Sequence, residues 1–460
     1  MHNTLDRIFH LTERGTTVRT EILAGVTAFV AAAYVLAVNP SVMSAAGMDS
    51  GAVFTATALV CFLGTCVMAL LTNYPFVLVP SMGLNAYFAY TVVLGMGYTW
   101  QVALAAIFLE GLVFALISLT SLRDKIFEAI PLNLKYAISA GIGLFITIIG
   151  LKSSGLVVSN PSTLVSIFSF TGSVAEGTFN TAGISVVLFI VGLIITGVLM
   201  AKNVKGNILL GIFITWGLGI ICELCGLYVP NPEAGFASLL PDFSNGLAVP
   251  SLEPTLLKMD FSQIADLGFL VVAFAFLLTS LFDTVGSLIG LGAKAELLDE
   301  KGDMPGVRGA MASESIATMI AGALGNSATC CSVECAAGIA EGGRTGLMAL
   351  TTAVLFLLSM FLSPIFLAIP SFATAPALVI VGFLMAGSLL KIDFSDATEG
   401  IPAFLCFMGM PLCYSIVEGI SLGIVSYVLI NLLCGAQTRK KISPMMYALA
   451  IIFIIKYALI

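Results

Sequence analysis

This sequence contains very little charge. Only 10% of its 460 residues are charged and 59% are hydrophobic, whereas soluble globular proteins carry about 25% charged residues. A soluble globular protein is therefore excluded. The repeated apolar runs are also too long and too many for a signal peptide. We predict a multi-pass membrane protein that is embedded in the lipid bilayer and has no nucleic-acid partner.

Histidine is almost absent. The two histidines, His2 and His10, both lie in the N-terminal tail, which excludes a histidine metal site or proton relay at membrane depth. Ten cysteines are scattered, mostly through apolar runs, where they are typical of small buried hydrophobic residues. One CxxC pair, Cys222 and Cys225, is too little to indicate a redox or metal site. We predict no metal, no cofactor and no enzyme activity, because no nucleophile cluster is visible.

Fourteen apolar runs of roughly membrane-spanning length follow one another along the chain, and we number them segments 1–14. The first seven are 21–39, 52–71, 79–94, 102–119, 134–151, 181–200 and 208–227. The next seven, after a polar stretch at 228–266, are 267–291, 307–324, a short run around Glu334, 347–369, 375–390, 401–412 and 416–433. The remaining apolar run, 445–459, is interrupted by Lys456. We expect it to form part of a cytoplasmic surface helix at 439–460, with a fifteenth span as the alternative.

Basic residues are distributed asymmetrically. With the tail at 1–20 in the cytoplasm, all but three of the 19 basic residues fall on the cytoplasmic side or in its loops. The exceptions are Lys152, Lys258 and Lys456. This positive-inside pattern predicts a cytoplasmic N-terminus in the cell membrane. It also favours separate segments 13 and 14, since merging them would place the basic run 439–441 outside.

The chain divides into two sets of seven segments, and an odd-numbered set followed by its copy has inverted topology. Segment 3 is short and broken around Pro80, Gly83 and Asn85, and segment 10 is short and broken along the small residues 325–338. Matching interrupted segments indicate the binding site of a secondary transporter. The alternative is that Pro80 and Gly83 only kink an ordinary helix. The second break, at the equivalent position of the other repeat, makes this alternative less favourable.

Several carboxylates lie inside apolar runs, where an ionisable group is costly and usually functional. Glu334 is the strongest candidate, because it lies among tiny residues in broken segment 10. Asp283 in segment 8 is the next, with a structural helix-capping role as the alternative. Glu314 in segment 9 is either functional or simply interfacial. For Glu110 in segment 4 and Glu418 in segment 14, a structural role within the helix bundle is the favoured interpretation.

These membrane segments offer no Lys or Arg partner to the carboxylates. Desolvation then favours the protonated form of a carboxyl group, so such groups can take up and release protons. A carboxyl donates a hydrogen bond when protonated and only accepts when ionised, which suits a flat heterocycle with ring N–H and C=O groups. Phe282, Tyr87 and Phe88 are candidates for stacking on such a ring, although packing in the core is the commoner role for each.

Three motifs carry a resemblance to a known family. They are Pro-x-Met-Gly-Leu-Asn-Ala-Tyr-Phe from Pro80, Leu-Phe-Asp-Thr-x-Gly from Leu281, and Val-Glu-x-Ala-Ala-Gly-x-Ala-x-Gly-Gly-Arg-Thr-Gly from Val333. The chain resembles the AzgA-like adenine/guanine/hypoxanthine permeases of the nucleobase–cation symporter (xanthine/uracil permease) family over about 5–434. Pro402-Ala-Phe and Pro411-Leu-x-Tyr-Ser-Ile-x-Glu-Gly fit the same resemblance.

The resemblance implies an all-α fold of fourteen segments in two inverted repeats, in which segments 3 and 10 each join a short strand to a half-helix. It implies a core domain at 21–120 and 267–369, and a gate domain at 134–227 and 375–434. The core would move like an elevator against the gate, often within a homodimer. The purine would lie between segments 3 and 10, contacting Glu334, Asn85 and Asp283.

Three departures from the family pattern matter. Relatives usually carry a substrate-contacting aspartate where this chain has Ser280. Glu314 stands in place of an aspartate, and Cys330 and Cys331 lie in a stretch that is rich in Ser and Thr. We therefore predict substrate contacts from Glu334, Asn85, Ser280, Asp283, Phe282 and Cys331. We predict proton coupling through Asp283, Glu314 and Glu334.

The prediction is a proton-coupled importer of adenine, guanine or hypoxanthine, with the proton as its coupling ion. Preference for uracil or xanthine, or coupling to Na⁺, remains an alternative. A same-fold anion transporter is another, although a carboxylate in the site disfavours anions. An ion channel is a third, and no ring of repeated pore charges supports it.

Overall fold

The computed structural model describes 2–118, 120, 130–231, 235–244, 246–295, 297, 304 and 306–459. Apolar runs of this length bond their backbone groups internally by forming helices, which is what a bilayer demands. Segments 1–7 are, in order, Val18–Ala32 with Val35–Ser44, Ser50–Thr72, strand β1 (Leu78–Pro80) with Met82–Ala86 and the π-helix Tyr87–Gly95, Trp100–Ser118, Leu132–Ser153, Phe179–Gly183 with Ile184–Ala201, and Asn207–Leu224.

Segments 8–14 repeat this order after the polar connection. They are Leu267–Lys294, Val307–Leu324, a strand (Thr329–Cys331) with Cys335–Ala340, Gly346–Ser359 with Met360–Leu362 and Ser363–Leu367, Ser371–Ala386 with Gly387–Lys391, Ala397–Leu412, and Ile416–Leu433. The elements outside the segments are His2–Phe9, a hairpin of β2 (Val157–Asn160) and β3 (Leu164–Ile167), Phe170–Ala175, Ala436–Arg439 and Pro444–Leu459. The strand in segment 10 is thus β4 of the chain.

Nine helices within the described residues are long and apolar enough to cross a membrane. They are segments 1, 2, 4, 5, 6, 7, 11, 12 and 14. The others are the broken segments 3 and 10, the 16-residue segment 13, and segments 8 and 9. The predicted fold class is confirmed, although several predicted boundaries were short. Segment 1, for example, extends from Val18 to Ser44 because Pro40 lies inside a helix without ending it.

The two broken segments meet through their strands. β1 pairs antiparallel with β4, so that Leu78 lies opposite Cys331 and Pro80 opposite Thr329. The ladder continues beyond the strands, since Ser81 N–H donates to the Ala328 carbonyl at 3.0 Å. Pairing across the repeats satisfies backbone groups that broken helices would leave bare in the membrane interior. The predicted breaks in segments 3 and 10 are therefore two halves of one structural feature.

The repeats share a local contact that reflects their common plan. In the first repeat, Thr65 of segment 2 accepts from Leu78 N–H of β1 at 3.0 Å. In the second repeat, Thr318 of segment 9 accepts from Thr329 N–H of β4 at 3.2 Å. Each second segment thus bonds to one outward backbone N–H of the strand in its own third segment.

The helices pack in two groups. In the first group, segments 1, 2 and 11 pack together, and segments 2, 4, 8 and 9 pack together around β1 and β4. In the second group, segment 5 packs against segments 12, 13 and 14, and segments 6 and 7 pack against segment 12. A smaller set of contacts, including those of segment 5 with segments 3 and 8, joins the two groups.

The C-terminal helix Pro444–Leu459 packs along segment 14. Tyr457, near its end, hydrogen-bonds to Glu418 and Ser421 in the first turns of segment 14. The helix therefore runs antiparallel beside the segment instead of leaving its end. The surface helix and the fifteenth crossing both stay predictions.

Candidate functional site

Glu334 lies just beyond β4, at the residue before the half-helix Cys335–Ala340. Its side chain is partly exposed. The Tyr34 hydroxyl, from the break in segment 1, donates to Oε1 at 2.8 Å, and the Ser332 hydroxyl donates to Oε2 at 2.6 Å. Each carboxylate oxygen has a further lone pair. The carboxylate is thus fixed in orientation and can still accept two hydrogen bonds from a ligand.

Asp283 approaches the same region from segment 8. The Ser81 hydroxyl, directly after β1, donates to its Oδ2 at 2.9 Å. Asp283 is partly exposed, and it lies beside Cys330 and within electrostatic range of Glu334. Glu334 and Asp283 therefore lie together near the ends of β1 and β4. This is the region where the matching breaks predicted a binding site.

Glu314 lies deeper, in segment 9, with 0% of its surface exposed. The Cys331 N–H donates to Oε1 at 3.1 Å, whereas Oε2 has no hydrogen-bond partner among the described residues. Glu314 lies near Thr284 and within electrostatic range of Asp283. Glu314 therefore lies directly behind the strand pair, and its functional role stays a prediction.

Asn85 occupies a buried cluster of polar side chains. Its amide nitrogen donates to Asn39 Oδ1 at 2.5 Å, and its carbonyl oxygen accepts from the Ser327 hydroxyl. Asn39 in turn bonds to Thr57 and Asn326. The cluster joins segments 1, 2, 3 and 10. In this conformation Asn85 fixes the junction of the broken segments, and its predicted substrate contact stays a prediction.

The other predicted substrate contacts, Ser280, Cys331 and Phe282, are either buried or outside the described side chains. Ser280 is fully buried in segment 8, and its hydroxyl has no hydrogen-bond partner among the described residues. Cys331 is also buried. The side chain of Phe282 lies outside the described residues. Of the predicted substrate-binding carboxylates and polar groups, Glu334 and Asp283 are therefore the ones with exposed surface.

None of Glu334, Asp283 and Glu314 forms an ion pair with a described Lys, Arg or His residue. These carboxylates accept hydrogen bonds from hydroxyl groups and from one backbone N–H. Neighbouring carboxylates that ionise together repel each other. Such a group of carboxyls presents acceptor oxygens to a ligand with N–H donors.

Sequence reasoning missed Tyr34 and Ser81, which orient the two partly exposed carboxylates. A tyrosine in an apolar segment gives no signal of its own, and the Tyr34–Glu334 pair is 300 residues apart in sequence. The stacking candidates Tyr87 and Phe88 are both fully buried. Tyr87 packs edge-on against Phe276 at 4.7 Å between ring centroids, so in this conformation it is a core residue.

Comparison with known proteins decides the family. The sequence profile of Xan_ur_permease, described as "Permease family", matches residues 19–422. The chain belongs to this permease family. The resemblance drawn from the three motifs is therefore confirmed, and the protein is a multi-pass membrane permease.

Its relatives match over almost their whole length. Adenine permease AdeP of Escherichia coli (strain K12) is 39% identical over 459 residues, which is 99% of this chain and 96% of AdeP. Guanine/hypoxanthine permease PbuO of Bacillus subtilis (strain 168) is 40% identical over 453 residues, which is 98% of this chain and 99% of PbuO.

Among solved structures, the transmembrane domain of the cyanobacterial bicarbonate transporter BicA has a similar fold. Its TM-score is 0.61 at 16% identity, covering 87% of this chain and 97% of that domain. At this identity the likeness concerns the fold alone.

Proposed function

We propose that this permease imports the purine nucleobases adenine, guanine and hypoxanthine by proton symport. Full-length relatives carrying the names adenine permease and guanine/hypoxanthine permease support the substrate class. The observation that carries the proposal is the carboxylate of Glu334, held by Tyr34 and Ser332 beside the β1–β4 pair.

The chemistry of the site suits a purine. An oriented carboxylate accepts two parallel hydrogen bonds from a ring N–H and an adjacent amine or second ring N–H. Asp283 lies on the β1 side of the strand pair, where the Ser81 hydroxyl donates a hydrogen bond to its Oδ2. When protonated, Asp283 could donate to a ring nitrogen or carbonyl, which links base binding to proton uptake.

The two packing groups support an elevator mechanism. The group built around β1 and β4 corresponds to the proposed core at 21–120 and 267–369. The group around segments 5 and 12 corresponds to the proposed gate at 134–227 and 375–434. Alternating access would then carry the Glu334 site along the gate.

We also propose that the permease lies in the cell membrane with a cytoplasmic N-terminus and that it forms a homodimer.

An anion carrier is the second candidate, since BicA shares the fold. An anion site needs positive potential, and the described site residues instead present Glu334, Asp283 and Glu314. The carboxylates thus favour a neutral substrate with N–H donors over an anion.

The test is uptake by the purified protein in proteoliposomes. Labelled adenine, guanine, hypoxanthine, xanthine, uracil and bicarbonate are supplied with and without an inward proton gradient and with and without sodium. The proposal expects saturable purine uptake that the proton gradient drives. Uptake of bicarbonate alone would overturn the substrate assignment, sodium dependence would overturn the coupling ion, and uptake that does not saturate would indicate a channel.

A further inference from the structure

Glu110 is a carboxylate that the proposed mechanism leaves without a role. It lies in the middle of segment 4, within the described helix Trp100–Ser118, and only 1% of its surface is exposed. Neither of its carboxylate oxygens has a hydrogen-bond partner among the described residues. A buried carboxylate with a purely structural role would be expected to bond to backbone or hydroxyl groups, as the buried Glu21 bonds to the Arg344, Thr345 and Met348 N–H groups.

Glu110 lies in segment 4, which packs against segments 8 and 9. Segment 4 packs tightly on segment 9, since a Cβ on Gly111 would lie 3.0 Å from the Ser315 carbonyl oxygen. On the segment 8 side, Ser280 lies beside Glu110, and its hydroxyl is also unbonded among the described residues. One helical turn further along segment 8, Thr284 lies beside Glu314.

The four carboxylates therefore follow one another through the protein. Glu334 lies within electrostatic range of Asp283, Asp283 of Glu314, and Glu314 of Glu110. The partly exposed end is Glu334 and the enclosed end is Glu110. No described cation pairs with any member of this row.

Among the described side chains, no other titratable group hydrogen-bonds to Glu110. The elements packed against segment 4 carry Asp283 and Lys294 in segment 8, Arg308 and Glu314 in segment 9, and Tyr87 and Tyr90 in segment 3, and the side chain of Lys294 lies outside the described residues. None of the described side chains in this set donates a hydrogen bond to Glu110, because both of its oxygens are unbonded among the described residues.

A proton fits this site better than a metal cation does. Segment 4 is a continuous helix through Glu110, so its backbone carbonyls are used within the helix and offer no ligands. A lone buried charge is costly unless it is paired, and a proton is the smallest cation that the two unbonded oxygens of Glu110 could take. The Ser280 and Thr284 hydroxyls lie on one face of segment 8, and each can accept and donate a hydrogen bond.

We infer that Glu110 holds the coupling proton at the inner end of a row that runs through Glu314 and Asp283 to the base-binding Glu334. The proton moves between Glu110 and Glu314 by way of the Ser280 and Thr284 hydroxyls. Each hydroxyl gives up its proton to one neighbour as it accepts one from the other. This inference rests on the proposed function and adds a proton site to it.

The experiment uses the full-length protein in proteoliposomes with whichever labelled base, adenine, guanine or hypoxanthine, the wild type carries. Two rates are compared, base exchange at equal pH and base accumulation under a gradient of one pH unit. One proton per base gives the wild type up to about tenfold accumulation per pH unit. For Glu110→Gln we expect exchange within about threefold of wild type and accumulation of less than about twofold.

Two further variants make the result decisive. Ser315→Ala, one residue from Glu314, removes a hydroxyl whose bonds among the described residues are to its own helix, and it should behave as wild type. Glu110→Asp keeps a carboxyl group and should restore both exchange and accumulation if Glu110→Gln has lost exchange through misfolding.

The inference is overturned if Glu110→Gln accumulates base as the wild type does. It is also overturned if Glu110→Asp and Glu110→Gln both lose exchange, or if a sodium gradient drives an accumulation that Glu110→Gln abolishes. Absence of exchange in the wild type is a different outcome, because it removes the proposed function itself.

Discussion

Glu21 offers a prediction whose size can be worked out from the structure. It lies in the first helix of segment 1 with 0% of its surface exposed. Its Oε1 accepts from Arg344 N–H at 2.8 Å, and its Oε2 accepts from Thr345 N–H at 3.3 Å and Met348 N–H at 3.0 Å. These N–H groups lie at the start of segment 11, where a negative charge is favourable.

Substituting glutamine in Glu21→Gln leaves one acceptor oxygen and introduces an NH₂ donor. If the oxygen stays with Thr345 and Met348, the NH₂ group faces the Arg344 N–H, donor against donor. A buried donor without a partner costs about 1–3 kcal/mol, and loss of the charge at the helix start costs up to about 2 kcal/mol. We expect a total loss of about 1–5 kcal/mol in the free energy of unfolding.

Thermal unfolding of the detergent-solubilised protein measures this effect. With an unfolding entropy of about 2.1 cal/mol/K per residue, a chain of 460 residues loses about 1 °C of Tm per kcal/mol, so we expect Tm to fall by roughly 1–5 °C. Glu13→Gln is the matched control, because the Glu13 side chain is 77% exposed and its loss should leave Tm unchanged. Equal melting temperatures for Glu21→Gln and Glu13→Gln would refute the reasoning that the carboxylate holds the start of segment 11.

Two further predictions concern transport. Tyr34→Phe removes the hydroxyl that orients Glu334 and should raise the KM of base uptake about tenfold, the equivalent of about 1.4 kcal/mol; an unchanged KM would contradict that role. Gly83→Ala places a Cβ 2.7 Å from Ile142 Cγ2, between segments 3 and 5. It should slow uptake more than it weakens base binding measured by calorimetry, because it obstructs sliding between the packing groups. Gly197→Ala is the control, because its Cβ meets nothing within 4 Å in the part of the chain that the structure describes. Equal uptake by both variants would count against the sliding interface.

The sequence predicted those features that depend on composition along the chain. The breaks in segments 3 and 10 could be predicted because Pro80 and the small residues around Glu334 interrupt otherwise apolar runs. Their pairing as β1 and β4 follows from the inverted repeats and from the need to satisfy bare backbone groups. Asp283 could be predicted in the same way, as a lone charge in an apolar helix.

Features that depend on contacts between distant segments could not be predicted. Tyr34 reads as one more apolar residue until the fold places it against Glu334. Asn85 matched a binding motif, yet the fold encloses it among Asn39 and Ser327. Glu110 read as a structural carboxylate, because only the packing of segments 4, 8 and 9 reveals that its oxygens are unbonded among the described residues.

The central claim is that Glu334 binds the transported base, and the most direct measurement is base uptake by Glu334→Gln in proteoliposomes. Glutamine has one acceptor and one donor where the carboxylate has two acceptors, so it cannot pair with two N–H groups of a purine. We predict loss of uptake by at least about a hundredfold, equivalent to about 2.8 kcal/mol. Glu341→Gln, which changes an exposed carboxylate at the end of the same half-helix, should transport normally. Wild-type purine uptake by Glu334→Gln would contradict the account.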